Sequence, residues 1–419
     1  MKTMKPSAIS GEISIPASKS QTIRALLIAA FSKEKSVIRN PLVSSDTLSC
    51  VNAIRALGAS VEFNEDSSVC YVDASGLECS KDVTIDAGNS GTTEYLLLGL
   101  AASLGGRITI TGDEQLRSRP AGPLAKALED LGAEVRTDCG KPPVSIKGPL
   151  RGGSTVIECK TSQYLSSLLL ASPLASSDCR IDCSLLYEKP YVELTLGWLR
   201  EQGIEFTISD DLEHASVKGG QRYRGFDKLI TGDFSSASFF AAAAAITGCT
   251  LTISGLDRYD KQGDKAILDI LQAMGAGIEW KSGSSVTVKG PERLKGGEFD
   301  LNAIPDTLPI LAVTGAFAHG DVHLTNAPQA RIKETDRIRT MVENLRALGA
   351  DVEEEEDGML IHGKGRLDGG EAKGFGDHRI IMALAIGALK AEKGITIDDT
   401  DAVSVTFPTF FSLYDRIKA

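Results

Sequence analysis

A helical run that ends in glycine and passes into a short alternating strand occurs five times in the 419 residues. The copies are Ala53-Ile54-Arg55-Ala56-Leu57-Gly58-Ala59, Ala127-Leu128-Glu129-Asp130-Leu131-Gly132-Ala133, Trp198-Leu199-Arg200-Glu201-Gln202-Gly203-Ile204, Leu271-Gln272-Ala273-Met274-Gly275-Ala276 and Leu345-Arg346-Ala347-Leu348-Gly349-Ala350. Their glycines lie 71 to 74 residues apart, and glycine there suits a left-handed helix C-cap, which penalises a Cβ. Between these runs lies a second repeated element, a polar start to an apolar helix. Its copies open at Ser18-Lys19-Ser20, Gly88-Asn89-Ser90-Gly91-Thr92, Lys160-Thr161-Ser162-Gln163, Gly232-Asp233-Phe234-Ser235, Ile304-Pro305-Asp306-Thr307 and Gly376-Asp377-His378-Arg379. With Lys19, Asn89, Ser162, Asp233, Asp306 and His378 as markers, the steps are 70 to 73 residues.

Six units of that length account for nearly the whole chain, and a repeat of this size is one supersecondary unit that buries its apolar face on its neighbours. The chain is also too long for one ordinary core. The expected organisation is α/β, with two domains of three units each. Residues 18–230 form an inserted domain, and 1–17 with 231–419 form a discontinuous domain carrying both termini. The chain then crosses between domains near Pro16–Ser20 and Ile230–Asp233. The sixth unit has a polar start at Asp377 but no Leu-Gly-Ala helix after it, and an N-terminal strand over Ala8 to Ile15 is expected to complete it.

Charge and cysteine usage exclude several classes. With 56 acidic against 45 basic residues the net charge is −11, and no basic stripe with interleaved aromatics reverses it, so nucleic acid is not an expected partner. The longest acidic run, Glu353 to Asp357, stands before a glycine and reads as the cap of a solvated hairpin. The eight cysteines, Cys50, Cys70, Cys79, Cys139, Cys159, Cys179, Cys183 and Cys249, form no Cys-x-x-Cys pair, and no His lies at zinc-ligand spacing from them. Most read as buried thiols, and no metal site is expected. Residues 1–15 lack the pattern of a secretory leader. The most apolar segment, Phe234 to Ile253, is interrupted by Ser235, Ser236, Ser238, Thr247 and Gly248 and reads as a core helix plus strand, not a membrane span. A reducing cytoplasm is the expected location.

The polar helix starts carry the chemistry. Ser, Thr, Asp and Asn at a helix start are ordinary caps, but Lys19, Arg24, Lys333, Arg337 and Arg379 add cations where the helix dipole disfavours them. A bound anion offsets that, because free N–H groups, the dipole and Arg or Lys side chains together form an anion site. Gly88-Asn89-Ser90-Gly91-Thr92-Thr93 has the small residues that let backbone N–H groups approach a phosphate, although no Lys follows its second Gly and it is not a P-loop. Gln115-Leu116-Arg117-Ser118-Arg119-Pro120 supplies two guanidiniums before an expected Pro-initiated helix. Arg331-Ile332-Lys333-Glu334-Thr335-Asp336-Arg337-Ile338-Arg339 is the densest ionisable segment. Glu334 beside Lys333 and Arg337 has the surroundings of a general acid, and Asp306 is the natural second carboxylate. Of the five histidines only His378 stands in a motif; His214, His319, His323 and His362 read as surface or turn residues.

Taken together, Ser18-Lys19-Ser20 with Arg24, Gly88-Asn89-Ser90-Gly91-Thr92, Arg119-Pro120, Thr161-Ser162-Gln163, Lys189-Pro190-Tyr191, Gly232-Asp233, Pro305-Asp306, Lys333-Glu334-Thr335-Asp336-Arg337 and Asp377-His378-Arg379 resemble the enolpyruvyl transferase family. Within it they resemble the 5-enolpyruvylshikimate-3-phosphate synthases, over essentially the full length. The resemblance implies a two-domain inside-out α/β barrel of six βαβαββ units whose helix N-termini point into an interdomain cleft that closes on its ligands. It implies transfer of the enolpyruvyl group of phosphoenolpyruvate to the 5-hydroxyl of shikimate 3-phosphate, by a monomer that needs no metal or other cofactor.

The resemblance also distributes roles. Lys19, Gly91, Arg119 and Gln163 would hold the donor phosphate, Arg337 and Arg379 the donor carboxylate, and Asn89 would be a further substrate-binding residue. Ser20 and Arg24 would grip the acceptor carboxylate, and Thr161, Ser162 and Lys333 its 3-phosphate. Asp306 would take the proton of the attacking hydroxyl. Glu334, helped by Lys19, would protonate the methylene carbon, with His378 the remaining catalytic residue. Three positions depart from the family pattern: Tyr95 stands in place of an Arg, Glu188 in place of a phosphate-binding Ser, and Val405 in place of a Lys. A carboxylate beside a bound phosphate needs a neutralising partner, for which Lys189 is the neighbour in sequence. The same departures leave a second reading, enolpyruvyl transfer to a different hydroxyl acceptor, one without a phosphate included. A third is a binding protein without turnover. The relative that uses UDP-N-acetylglucosamine carries Lys-Asn where this chain has Lys19-Ser20 and uses a mobile-loop Cys, for which Cys139 is the candidate.

Overall fold

The computed structural model describes residues 1–77 and 82–419, so Cys79 lies outside the described residues. Contacts divide the chain into two compact units, Met1–Pro16 with Thr231–Ala419, and Ala17–Ile230. Each unit has its own apolar core.

Among the described residues, five sheets have four strands and one has three. The four-stranded sheets share one plan, a parallel pair extended on one side by an antiparallel hairpin. Gly153–Cys159 runs parallel to Cys179–Leu186, for example, which pairs antiparallel with His214–Val217, and that with Phe206–Ile208. The fourth and sixth sheets correct the expectation for the N-terminus. Glu12–Ser14 runs parallel to Thr252–Ser254 in the fourth sheet, whereas Lys2–Met4 pairs antiparallel with Ile395–Ile397 in the sixth. The fourth unit needs the borrowed strand because the chain goes from Thr231 almost directly into a helix, leaving no strand of its own to precede it. Ile13, buried between exposed Glu12 and Ser14, supplies the inward side chain.

Six helices follow the polar starts: α1 (Lys19–Ser32), α2 (Gly91–Ala101), α3 (Ser162–Ala171), α4 (Phe234–Thr247), α5 (Leu308–Ala316) and α6 (His378–Ala388). Every residue of α2, α5 and α6 is buried. Such helices are apolar all round because they form the centre of a unit. Their side chains are small where they cross: a Cβ on Gly99 of α2 would stand 2.5 Å from the Ser167 carbonyl of α3. With no polar face, only their ends reach functional chemistry. Ser18, Ser90, Thr161, Asp233 and Asp377 each accept a backbone N–H of the first turn, which satisfies donors the helix cannot pair itself. Helix α5 differs, beginning from a 3-10 turn over Pro305–Thr307 with no side-chain cap.

The second set of helices is amphipathic and ends at the repeated glycines. Gly58, Gly132, Gly203, Gly275 and Gly349 all have positive φ, from 69° to 106°. The residue after each donates to the carbonyl five positions back, as Ala59 does to Ile54 and Ala350 to Leu345, which is the Schellman closure that a left-handed C-cap makes possible. Phe234–Ile253 forms α4 and the start of strand Thr250–Ser254. Among the described residues, no helix is long and apolar enough to cross a membrane.

Candidate active site

In the unit of residues 17–230 the starts of α1, α2 and α3 carry three polar groups. Lys19, the first residue of α1, is 3.0 Å from Asp46. One turn on, Arg24 is 1% exposed, and its guanidinium donates to the Thr195 hydroxyl and to the carbonyls of Ser20 and Tyr191. Burial brings its pKa down to about 10, with Tyr191 acting the other way, so Arg24 stays cationic at neutral pH. Thr195 in turn donates to Ser166 of α3, which ties α1 to α3.

At the start of α2, Arg119 donates through Nη2 to the Asn89 side-chain carbonyl at 3.0 Å, and Asn89 donates to Asp113 and Gln115. Arg119 lies directly over Gly91, where a Cβ would stand 2.6 Å from its Nη1. The Arg119-Pro120 segment does not open a helix: the helix after it is Gly122–Asp130, with its proline at Pro123, and the Pro120 carbonyl accepts the hydroxyls of Tyr95 and Tyr164. Those two rings meet edge to face, with centroids 5.3 Å apart. Thus Tyr95 holds this turn by packing and one hydrogen bond, with no charge of its own. Arg117 is exposed. Glu94, beside Tyr95, is fully buried and neither of its carboxyl oxygens has a hydrogen-bond partner. Burial pushes its pKa up to about 8, against the opposing pull of Arg119.

At the start of α3 the donors are already engaged. Glu188 Oε2 accepts the Thr161 hydroxyl at 3.1 Å, the Ser162 N–H at 3.1 Å and the Ser162 hydroxyl at 2.8 Å. Glu188 is 2% exposed and has φ 57°, a left-handed backbone that few non-glycine residues adopt. Lys189 points elsewhere, its Nζ 3.3 Å from Glu213. It therefore does not serve as the neutralising partner that its place in sequence suggests.

The unit with both termini carries the denser cluster. Arg337, 1% exposed, donates through Nη1 to Asp306 Oδ1 at 2.8 Å, through Nη2 to Glu334 Oε2 at 2.5 Å and through Nε to Asp377 Oδ2 at 2.8 Å. Arg379 Nη2 donates to the other oxygen of Asp306 at 2.8 Å. Asp377 does double service, capping α6 through the Arg379 N–H and accepting the Thr335 hydroxyl. Burial pushes the Asp306 pKa up, but Arg379, Lys333 and Arg337 outweigh it and hold the carboxyl well below its usual range. Burial likewise works against the Arg337 cation, and Asp377, Glu334 and Asp306 outweigh it. His378 is buried at the first position of α6.

The expected residues therefore fall into two sets. Lys19, Ser20, Arg24, Asn89, Gly91, Arg119, Thr161, Ser162 and Gln163 lie at three helix starts of one unit. Asp306, Lys333, Glu334, Arg337, His378 and Arg379 lie at α5, α6 and the approach to the helix Arg337–Ala347 in the other. Two residues have roles that sequence reasoning missed: Asp377 as a buried partner of Arg337, and Glu188 as the occupant of the α3 start. Arg331 turns out to be structural, tying Asp336 to Glu354 and to the carbonyls of Glu355 and Glu356, so the acidic hairpin is pinned as well as solvated. Cys139 sits in the tight turn between strands Glu134–Asp138 and Lys141–Lys147, with φ 51°, a place unlike a mobile loop. Among the described cysteines, five are buried, Cys139 is exposed and Cys249 is intermediate.

The family model described as EPSP synthase (3-phosphoshikimate 1-carboxyvinyltransferase) matches residues 3–413. The chain is 48% identical over 418 residues to a 3-phosphoshikimate 1-carboxyvinyltransferase of Acetivibrio thermocellus, covering 99% of this chain and 98% of that one. It is 46% identical to the protein of the same name from Ruminiclostridium cellulolyticum, with 97% and 96% covered. Among solved structures, an EPSP synthase from Acinetobacter baumannii superposes with a TM-score of 0.83 at 29% identity, covering 99% of this chain and 98% of that one.

Proposed function

The chain belongs to the EPSP synthase family, and from that premise we propose how its own residues divide the work of the reaction. The enzyme transfers the enolpyruvyl group of phosphoenolpyruvate to the 5-hydroxyl of shikimate 3-phosphate and releases phosphate. In this reading Lys19, Gly91, Arg119, Asn89 and Gln163 hold the donor phosphate. Gly91 lets Arg119 and the first N–H groups of α2 come close to it. Ser20 and Arg24 take the acceptor carboxylate, Thr161, Ser162 and Lys333 take its 3-phosphate, and Arg337 and Arg379 take the donor carboxylate.

The observation that carries the reading is Asp306 held ionised between two buried guanidiniums, one of which also binds Glu334. An aspartate in that position is a poor base, because both cations stabilise its charged form. The donor carboxylate competes for those same cations. As Arg337 and Arg379 turn to it, Asp306 loses their stabilisation, its pKa rises, and it becomes able to take the proton of the attacking hydroxyl. Glu334, freed from Arg337 in the same exchange, takes up a proton and, assisted by Lys19, delivers it to the methylene carbon. A C–O bond forms at the central carbon of the donor and gives a tetrahedral adduct. Phosphate then leaves with the proton held by Asp306, and Glu334 takes back a methyl proton, which restores the double bond. His378, fixed beside Arg379 at the start of α6, completes the catalytic set. The positive charge needed around two phosphates and two carboxylates is supplied by the protein's own Lys and Arg groups, in place once the ligands have bound.

The unpaired, mostly buried thiols among the described cysteines support a location in the cytoplasm, and that the enzyme works as a monomer rests on the family resemblance alone. The test of the reading is phosphate release from phosphoenolpyruvate with shikimate 3-phosphate as acceptor. Turnover that disappears in Asp306→Asn and Glu334→Gln supports it. Folded protein that releases no phosphate with this acceptor, but does with another hydroxyl compound, overturns it.

A further inference from the structure

The three donors at the start of α3 converge on one atom, Oε2 of Glu188. Two hydroxyls and the first N–H of a helix, within 2.8 to 3.1 Å of a single oxygen, are the arrangement that one oxygen of a phosphate monoester accepts. A phosphate oxygen and Oε2 cannot share that position, since both are anionic and both need the same three hydrogens. The placement is also costly for the protein: Glu188 is 2% exposed, and its backbone is held at φ 57° and ψ 40°. Strained conformations at buried charged positions persist where surrounding structure imposes them, and they concentrate at functional sites.

Resting on the reading that Thr161 and Ser162 hold the acceptor's phosphate, we propose that Glu188 is a specificity-determining residue that occupies the phosphate subsite until the acceptor's 3-phosphate displaces it. The carboxylate satisfies the donors of α3 before the acceptor binds and must rotate away when it does. Part of the phosphate's binding energy is thus spent on expelling a competing anion, and the enzyme distinguishes phosphorylated from unphosphorylated acceptors less sharply than a neutral residue at position 188 would allow.

The test is steady-state kinetics on the full-length enzyme with shikimate 3-phosphate and with shikimate, for the parent, Glu188→Ser, Glu188→Gln and Ser162→Ala. Removing the competing charge is expected to lower KM for shikimate 3-phosphate about tenfold in Glu188→Ser, since each tenfold corresponds to one ordinary charge-assisted contact. KM for phosphoenolpyruvate and the efficiency toward shikimate stay near the parent values, so the preference for the phosphorylated acceptor widens. A purely structural role would not shift one KM and spare the other. Glu188→Gln keeps an oxygen for the three donors without the charge and should move KM in the same direction; it also stands in if the serine variant fails to fold. If Ser162→Ala raises KM for shikimate 3-phosphate while both Glu188 variants leave it unchanged or raise it, the proposal is overturned and the phosphate assignment stands. If Ser162→Ala leaves that KM unchanged, the assignment of the phosphate to Thr161 and Ser162 is what fails.

Discussion

Asp306 and Arg337 form a partly buried ion pair of 2.8 Å between residues 31 positions apart in sequence. The pair joins the start of α5 to the start of the helix Arg337–Ala347, so the proposed base and the proposed donor-binding cation are positioned by the same contact. Replacing Asp306 by Asn keeps the shape and removes the proton acceptor. We expect kcat to fall roughly a hundredfold to ten-thousandfold, the range for loss of a general base, with KM for phosphoenolpyruvate changing far less. Phosphate release measures both; a kcat within a few-fold of the parent would remove Asp306 from the catalytic role.

Arg337 itself is surrounded by Asp306, Glu334 and Asp377, and Asp377 is fully buried. Arg337→Ala takes the paired guanidinium from fully buried Asp377 and leaves Asp306 with Arg379 alone of its two hydrogen-bonded guanidiniums, a change that costs about 3–5 kcal/mol when one partner of a buried pair is removed. Arg337→Lys restores a charge but cannot offer three divergent N–H directions at once. Urea denaturation should show Arg337→Ala far less stable than the parent, with Arg337→Lys between them. Equal midpoints for the lysine variant and the parent would show that the fork geometry is unimportant.

Gly91 bears on the donor site by what it lacks. A methyl group there would stand 2.6 Å from Arg119 Nη1 and 3.6 Å from the Tyr95 ring. Arg119 can yield, being the end of a flexible side chain, but Tyr95 is fixed between Pro120 and Tyr164. Gly91→Ala should therefore fold normally and raise KM for phosphoenolpyruvate about tenfold through a displaced guanidinium, one charge-assisted contact being of that order. Unchanged KM in a variant of parental stability would exclude Arg119 from donor binding.

What could be read in the sequence and what could not follows from range. The glycines at 58, 132, 203, 275 and 349 were legible because a left-handed C-cap is a local demand on one residue. The polar caps Ser18, Ser90, Thr161, Asp233 and Asp377 were legible for the same reason. Partnerships across the repeat were not. Asp377 reaches Arg337 from 40 residues away, and Glu188 reaches Ser162 from 26, so nothing local ties them. The division of the N-terminus between two sheets was hidden as well, since Lys2–Met4 and Glu12–Ser14 are three residues each, too short for alternation to assign them. Nothing local marks Glu94 as buried either; that follows only from the enclosure of every residue of α2.

Glu94 makes pH the last test. Its carboxyl has an ordinary value of 4.5 and is pushed up to about 8 by burial, with Arg119 opposing. The folded state therefore keeps a proton that the unfolded chain has already lost. Stability from this group is fully present below about pH 4.5 and is lost as pH rises toward about 8, at up to about 1.4 kcal/mol per pH unit. Glu94→Gln mimics the protonated form and cannot ionise. In urea titrations across this range the variant should lose less stability with rising pH than the parent and be the more stable of the two at the alkaline end. Parallel pH dependences would mean that Glu94 is ionised in the folded protein, with the Arg119 cation compensating for its burial.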